Sequence, residues 1–377
     1  MSSSQELYTR LIQTLSPLVN VAHIAHLTNW VWIVVGILQA NSMALSRIAV
    51  HIPGEASAES RVTTIRRWLK NFRVDVWALY RPILEHVLQQ WQTVTAVVIL
   101  DGVMVFGDRW QIFRLSLAHG GRAIPLVWLV LPGKGLTQME KLEAMLRRAA
   151  TFLQGRVKRV IFLADAGFRD CDWAHLCLKI GWNYAIRIAR NTYVTLNDGW
   201  YGPIHALGVK PGQRRYYHQV WLTQDRKLCT NLTVTWTPGD DQHPPELLAL
   251  ISDQPAARAR LREYAVRMHT EESFRDDKSG GFDMAHTRLQ HADRLERLLL
   301  ALAIATLWCH ELGEHVLAEG ETARRTIDPG PTRELSLFQL GLRWLKRCVS
   351  TNICLLPAFL ARLSPLKGLV IVGAGLS

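Results

Sequence analysis

"VIFLADAGF", Val160–Phe168, runs five apolar residues straight into a carboxylate. Four of the five are β-branched, aromatic or Leu, which is the composition of a buried strand. A buried strand has no need of a charge at its end, so Asp165 asks for a reason. "AVVILDG", Ala96–Gly102, repeats the form: an apolar run, an Asp, then Gly. An Asp after a strand is also a common turn former. Two such strands, however, can bring Asp101 and Asp165 to one point at the C-terminal edge of a sheet.

The surrounding elements give these two strands an order. Val97–Leu100, about Gln111–Leu117 and Ala123–Leu131 read as three successive strands. A helix follows, opened by a Thr137-x-x-Glu140 capping box and closed at Gly155, with Met139, Leu142, Leu146, Ala149 and Leu153 on its apolar face. The Val160 strand, a helix near Asp172–Ile180 and a strand at Tyr184–Ile188 come next. Three strands, helix, strand, helix, strand is an antiparallel meander followed by parallel crossovers. This is the strand order of an RNase H-like domain, so the expected class is α/β, an RNase H-like catalytic domain.

Residues 191–255 break the alternation. "RRYYHQVWLT" and "LCTNLTVTWT" are polar, strand-like runs separated by turn-rich joints, and read as a β-strand insertion. Helical segments flank this core on both sides. The division expected is 1–93, a helical DNA-binding domain; 94–190 and 256–318, the two parts of the catalytic core; 191–255, the insertion; and 319–377, a helical C-terminal segment with helices at about Leu337–Val349 and Cys354–Leu363. In the first of these, Val62, Ile65, Trp68, Leu69 and Phe72 are spaced as one apolar helix face, with Arg61, Arg66, Arg67 and Lys70 opposite. A helix, a break at Pro53–Gly54 and a basic helix is a helix-turn-helix pattern, although a solvated structural helix carries the same charges.

The 377 residues carry 44 Lys and Arg against 32 Asp and Glu, a net charge of +12, which suits a polyanionic partner. The apolar runs, such as Leu298–Cys309, are too short to span a bilayer, and from "MSSSQELYTR" no secretory signal is expected. The six Cys form no Cys-x-x-Cys pair, as expected of a reducing compartment. "CDWAHLC", Cys171–Cys177, lacks the spacing of a zinc site and reads as a core helix.

The most informative stretch is "YAVRMHTEESFRDDK", Tyr264–Lys278, which no Pro or Gly interrupts. As one helix at about 100° per residue, it puts Tyr264, Arg267, Glu271 and Lys278 within an arc of about 60°. Leu261, Ala265 and Met268 take the neighbouring arc, to pack on the sheet. An aromatic hydroxyl and two cations suit phosphate oxygens, and the acid among them suits a metal.

Tyr264-x2-Arg267-x3-Glu271-x6-Lys278 resembles the Tyr-Arg-Glu-Lys signature of bacterial insertion-sequence transposases, the DDE enzymes of the insertion sequence four family. Asp101 would match the first Asp, Asp165 within "ADAGF" the second, and Glu271 the Glu; the likeness covers roughly residues 94–315. It implies a DNA transposase that binds the element's ends and performs strand cleavage and strand transfer. Asp101, Asp165 and Glu271 would be both catalytic residues and ligands of two Mg2+ ions, with Mn2+ able to substitute. Double-stranded DNA, as terminal inverted repeats and target, would be the partner of a homodimer, with no membrane involved, in the bacterial cytoplasm at the nucleoid. DNA contacts are expected from Tyr264, Arg267 and Lys278, from Arg61, Arg66, Arg67 and Lys70, and from Lys210, Arg214 and Arg215 in the insertion. Relatives often carry a base-stacking Trp after the signature Arg; Met268 stands there, leaving Trp200, Trp221 and Trp236 as substitutes. The apolar face of the Leu337–Val349 helix either caps the catalytic core or is the candidate dimer contact. Two other readings are a non-catalytic DNA-binding regulator descended from a transposase, and an RNase H-like nuclease of other specificity.

Overall fold

A computed structural model describes residues 3–133, 139–168, 171–223, 225, 227–239, 244–351 and 357–365. Five helices come first: α1 (Ser3–Leu18), α2 (Ile24–Ala40), α3 (Leu45–Val50), α4 (Ala58–Lys70) and α5 (Val76–Val87). The α2 helix carries no charged side chain and is buried along its whole length from Trp30 to Leu38, the signature of a helix surrounded by others. Ser57 caps α4 by accepting the Ser60 N–H, and Asp75 caps α5 by accepting that of Ala78. The α4 helix ends at Lys70, so Phe72 is not on its apolar face; it is 83% exposed.

The sheet domain contains β1 (Thr95–Val105), β2 (Trp110–His119), β3 (Arg122–Pro132), α6 (Met139–Leu153), β4 (Arg159–Ala164), α7 (Cys171–Lys179) and β5 (Asn183–Ile188). Thr137 of the expected capping box lies outside the described residues. Next come β6 (Tyr193–Thr195), β7 (Tyr201–Pro203), β8 (Arg214–Leu222), β9 (Leu228–Trp236) and β10 (Leu247–Ser252). All ten strands form one sheet in the order β3-β2-β1-β4-β5-β10-β9-β8-β6-β7. The β1–β2–β3 meander is antiparallel, and β1, β4 and β5 are mutually parallel, as the crossovers through α6 and α7 require. Strands 6–10 continue the same sheet, because β10 pairs antiparallel with β5.

The chain then forms α8 (Arg258–Ala265), α9 (Met268–Arg275), a π-helical turn at Asp276–Gly280, α10 (Ala292–Ala318), α11 (Glu321–Arg325) and α12 (Leu337–Thr351). Strand alternation decides what covers each sheet face. Val98, Leu100, Phe162 and Ala164 join the large core shared with α2, α6 and α10. Val97, Ile99, Ile161, Leu163 and Ala185 face the other way and pack on Val266, between α8 and α9.

Two C-terminal expectations need correction. Leu337, Leu340, Leu342 and Leu345 are buried because α12 lies directly on α10, so its apolar face is covered within the chain and is not a free dimer contact. The approach is close: a Cβ on Gly341 would strike the Cys309 carbonyl oxygen, and one on Gly313 that of Leu337. Residues 357–363 are irregular, not helical, and 352–356 lie outside the described residues. Glu311 takes the place of helical carbonyls there by accepting the Leu360 and Ala361 N–H groups at 2.7 and 3.0 Å. No helix among the described residues is long and apolar enough to cross a membrane.

Candidate active site

Asp101 and Asp165 are brought together by one register pair. Leu100 and Ala164 are parallel partners on β1 and β4, so the next residue on each strand is an Asp. Asp101 does not end its strand. It lies within β1, opposite Arg114 of β2, at the point where the parallel pairing with β4 stops. By alternation both carboxylates belong to the face that Val266 covers. Each accepts the N–H of the residue after it, Asp101 Oδ1 from Gly102 at 2.8 Å and Asp165 Oδ1 from Ala166 at 2.7 Å.

The segment expected to be one uninterrupted helix is broken. Between α8 and α9 the chain tightens at Val266–Arg267, where Arg267 N–H bonds to Tyr264 O and Thr270 N–H to Arg267 O, both i to i−3. The break lets Val266 enter the core and turns Arg267 inward. Met268, expected against the sheet, is 43% exposed instead.

Arg267 is the centre of the site. Its Nη1 lies 3.2 Å from Asp101 Oδ2 and 3.9 Å from Asp165 Oδ2, while Nη2 bonds to Glu271. Carboxylates 64 and 106 residues apart in sequence thus converge on one guanidinium. Arg267 and Tyr264, each 7% exposed, are turned towards the acids rather than displayed outward for phosphate. Tyr264 donates its hydroxyl to Asp165 Oδ1 at 3.3 Å. The physical reason is that clustered, partly buried acids need donors and a counter-charge, and these two side chains are within reach.

Burial holds the Asp101 carboxyl above the usual carboxylate range, with Glu271 and Asp165 adding to the rise; Arg267 and the Gly102 N–H oppose it. Burial likewise raises the Tyr264 hydroxyl. For Arg267, burial works against the charge, but Tyr264 and the three acids outweigh it and its pKa rises.

Several residues that complete the site escaped the sequence reading. Arg187 on β5 is a second cation at Asp165, at 3.8 Å, and pairs with Glu246 at 2.5 Å. Its signal was there: a lone Arg in the apolar strand "NYAIRI". Arg114, the register partner of Asp101, forms a buried ion pair with Asp277 at 2.6 Å. Arg122 binds Asp276 at 2.6 Å, and Gln339 of α12 donates to the same Asp. These ties fix the π-helical turn to β2, β3 and α12. "RDDK" gave no sign of this, because adjacent acids on a helix ordinarily read as solvated.

The other expected DNA-contacting residues are not gathered at the triad. Lys278, on the π-helical turn, is half-buried and has no ion-pair partner among the described residues. Arg66, Arg67 and Lys70 are exposed on α4, where Arg61 is half-buried and bonds to the Gly54 carbonyl. Lys210, Arg214 and Arg215 are exposed at the start of β8, five strands from β1 and so about 24 Å across the sheet. Of the three Trp residues, Trp236 donates to Val209 O, Trp200 packs over Gly202, and Trp221 is 39% exposed.

Three hard-oxygen donors suit Mg2+. Their present disposition is around a guanidinium, and among the described residues no three His, Cys, Asp or Glu surround a common ion position. The donor chemistry fits the ion, provided Arg267 moves aside.

No family model matches the chain, and no curated protein sequence matches it. Among solved structures it is similar to piggyBac transposase in a synaptic complex with hairpin DNA, with a TM-score of 0.45 and 10% identity, covering 92% of this chain and 78% of that one. That likeness is too distant to bear on function, which rests on the residues themselves.

Proposed function

We propose that the chain is a DNA transposase whose Asp101, Asp165 and Glu271 form a metal-dependent centre for phosphodiester cleavage and strand transfer. One observation carries the reading: three acids from β1, the end of β4 and α9 meet at a single guanidinium. Each of these acids raises the cost of ionising Asp101, and one guanidinium offsets only part of that cost, leaving negative charge for a metal to neutralise. The β3-β2-β1-β4-β5 order supports an RNase H-like core, with β6–β10 as its insertion. The Tyr264, Arg267, Glu271 and Lys278 spacing supports the insertion sequence four family in particular.

In this reading the three carboxylates would hold two Mg2+ ions, or Mn2+ in their place. Bound there, the metal supplies activation of the attacking oxygen and charge stabilisation of the leaving one. The chain's own residues do the rest. The Leu100–Ala164 register sets the spacing of Asp101 and Asp165. Lys278 would bind the phosphodiester backbone, and Arg267 and Tyr264 would join it once the metal takes their place on the carboxylates. The bases on α4 and at the start of β8 hold the flanking duplex. A homodimer would pair two element ends through a surface other than the apolar face of α12.

The reading is tested with the full-length chain and DNA taken from either side of its coding region. Mg2+-dependent nicking at the border, abolished by chelation, is the expected result. Binding without cleavage at any Mg2+ or Mn2+ concentration would favour the non-catalytic regulator, the reading to which the Arg267-filled centre lends support. Cleavage indifferent to the border would favour a nuclease of other specificity.

A further inference from the structure

Phe72 is the most exposed large apolar side chain among the described residues, at 83%. A single surface Phe is ordinary. This one differs because the fold invests heavily in the turn that carries it. Asn71 stops α4 with its N–H on Trp68 O, and Val74 N–H closes a tight turn on Asn71 O, both at 3.1 Å. The Asn71 side chain accepts the Arg73 N–H at 3.1 Å and bonds to His26 at 3.2 Å. From below, the buried Arg297 of α10 clamps both legs of the turn, donating to Leu69 O at 2.8 Å and to Val74 O at 3.3 Å. Leu69 and Val74 are buried on either side. Phe72 and Arg73 are therefore the tip of a braced turn, not a fraying helix end.

The rim of this tip is cationic. Arg66, Arg67 and Lys70 are exposed on the preceding helix, and the Arg73 guanidinium lies 5.9 Å from the centre of the Phe72 ring. Four exposed cations on the helix and turn that carry one exposed ring match the two-part surface of duplex DNA, phosphates outside and stacked bases within. The exposed cations of this helix and turn favour a polyanion over an uncharged protein surface.

We infer that α4 lies on duplex DNA through Arg66, Arg67, Lys70 and Arg73, and that Phe72 enters a groove and wedges against a base step. The inference rests on the DNA-binding reading above and adds a local unstacking of the duplex. Rigidity matters to it, because a preorganised wedge spends less of its binding energy on ordering itself.

The test uses the full-length chain and duplexes from the flanks of its coding region, with 2-aminopurine placed at successive positions. Wild-type protein should brighten the probe at one step. Phe72→Ala should abolish that rise and weaken binding about tenfold, with the salt dependence of affinity unchanged. Phe72→Leu, still an apolar wedge, should keep most of both signals. Lys70→Ala should keep the fluorescence rise and reduce the salt slope by about one. Phe72→Ala protein that binds and brightens the probe like wild type overturns the wedge and leaves DNA binding standing. Wild-type protein that binds no duplex overturns the DNA reading and the wedge with it.

Discussion

The meeting of Asp101 and Asp165 was legible in the sequence because each follows an apolar run that reads as a buried strand, and parallel strands in register deliver their next residues together. Glu271 was legible through its spacing from Tyr264 and Arg267. The direction of Arg267 was not. A helical wheel places it on the same arc as Glu271, but the break at Val266–Arg267 turns the guanidinium onto all three acids. Among the described residues it is the one cation that reaches all of them. Arg267→Met should therefore lower stability by about 1–3 kcal/mol, less than the ~3–5 kcal/mol of a fully buried pair because Asp165 and Glu271 are partly solvated. Added Mg2+ should raise the melting temperature of this variant more than that of wild type, since the ion restores the lost counter-charge. Equal shifts in thermal melts would show that Arg267 and the ion do not share the carboxylates.

At the scale of elements, the α9 segment and its π-helical turn are held to the sheet by buried charge pairs. Arg114 and Asp277 are 5% and 7% exposed as side chains, and the Arg114 guanidinium stacks 4.2 Å above the Phe274 ring. Removing one partner strands the other, so Asp277→Leu should cost about 3–5 kcal/mol in urea unfolding. The double variant Arg114→Met with Asp277→Leu should recover much of that loss, because two apolar groups leave no orphan charge. A double variant as unstable as the single would mean the pair acts through something other than mutual charge compensation. The same elements show why the sequence leaves two roles open for α12. Its broad apolar face was plain, but a face covered within the chain and one covered by a second copy have the same composition. The glycines at 313 and 341, which let α10 and α12 touch, were the distinguishing marks.

Across the whole molecule, the strand order from β3 to β5 followed from element types alone, whereas the single ten-stranded sheet did not. Its continuity depends on the β5–β10 pairing, which joins the core to the last strand of the insertion. The same core runs from α1 through the sheet to α10, and it contains buried histidines. Burial, with Arg122 and His119 nearby, lowers His269 to about 4, and burial together with His119 lowers His310 to about 3, both from 6.5. Below pH 6.5 the unfolded chain takes up protons that these two refuse in the fold, so stability falls as pH drops from 6.5 towards 4. Each histidine should cost about 2 kcal/mol by pH 5. The raised Asp101, Asp276 and Asp277 act in the opposite sense, so the histidine contribution is isolated by comparing wild type with His310→Phe, whose stability should decline less over this range in paired urea titrations. The central claim is that the acids meeting at Arg267 cut DNA. It is tested most directly by Asp101→Asn, which changes one oxygen donor in the shared centre and leaves the α4 surface intact. In a gel assay on border DNA with Mg2+, this variant should bind like wild type and cut at least about 1,000-fold more slowly; cleavage within a few-fold of wild type would contradict the account.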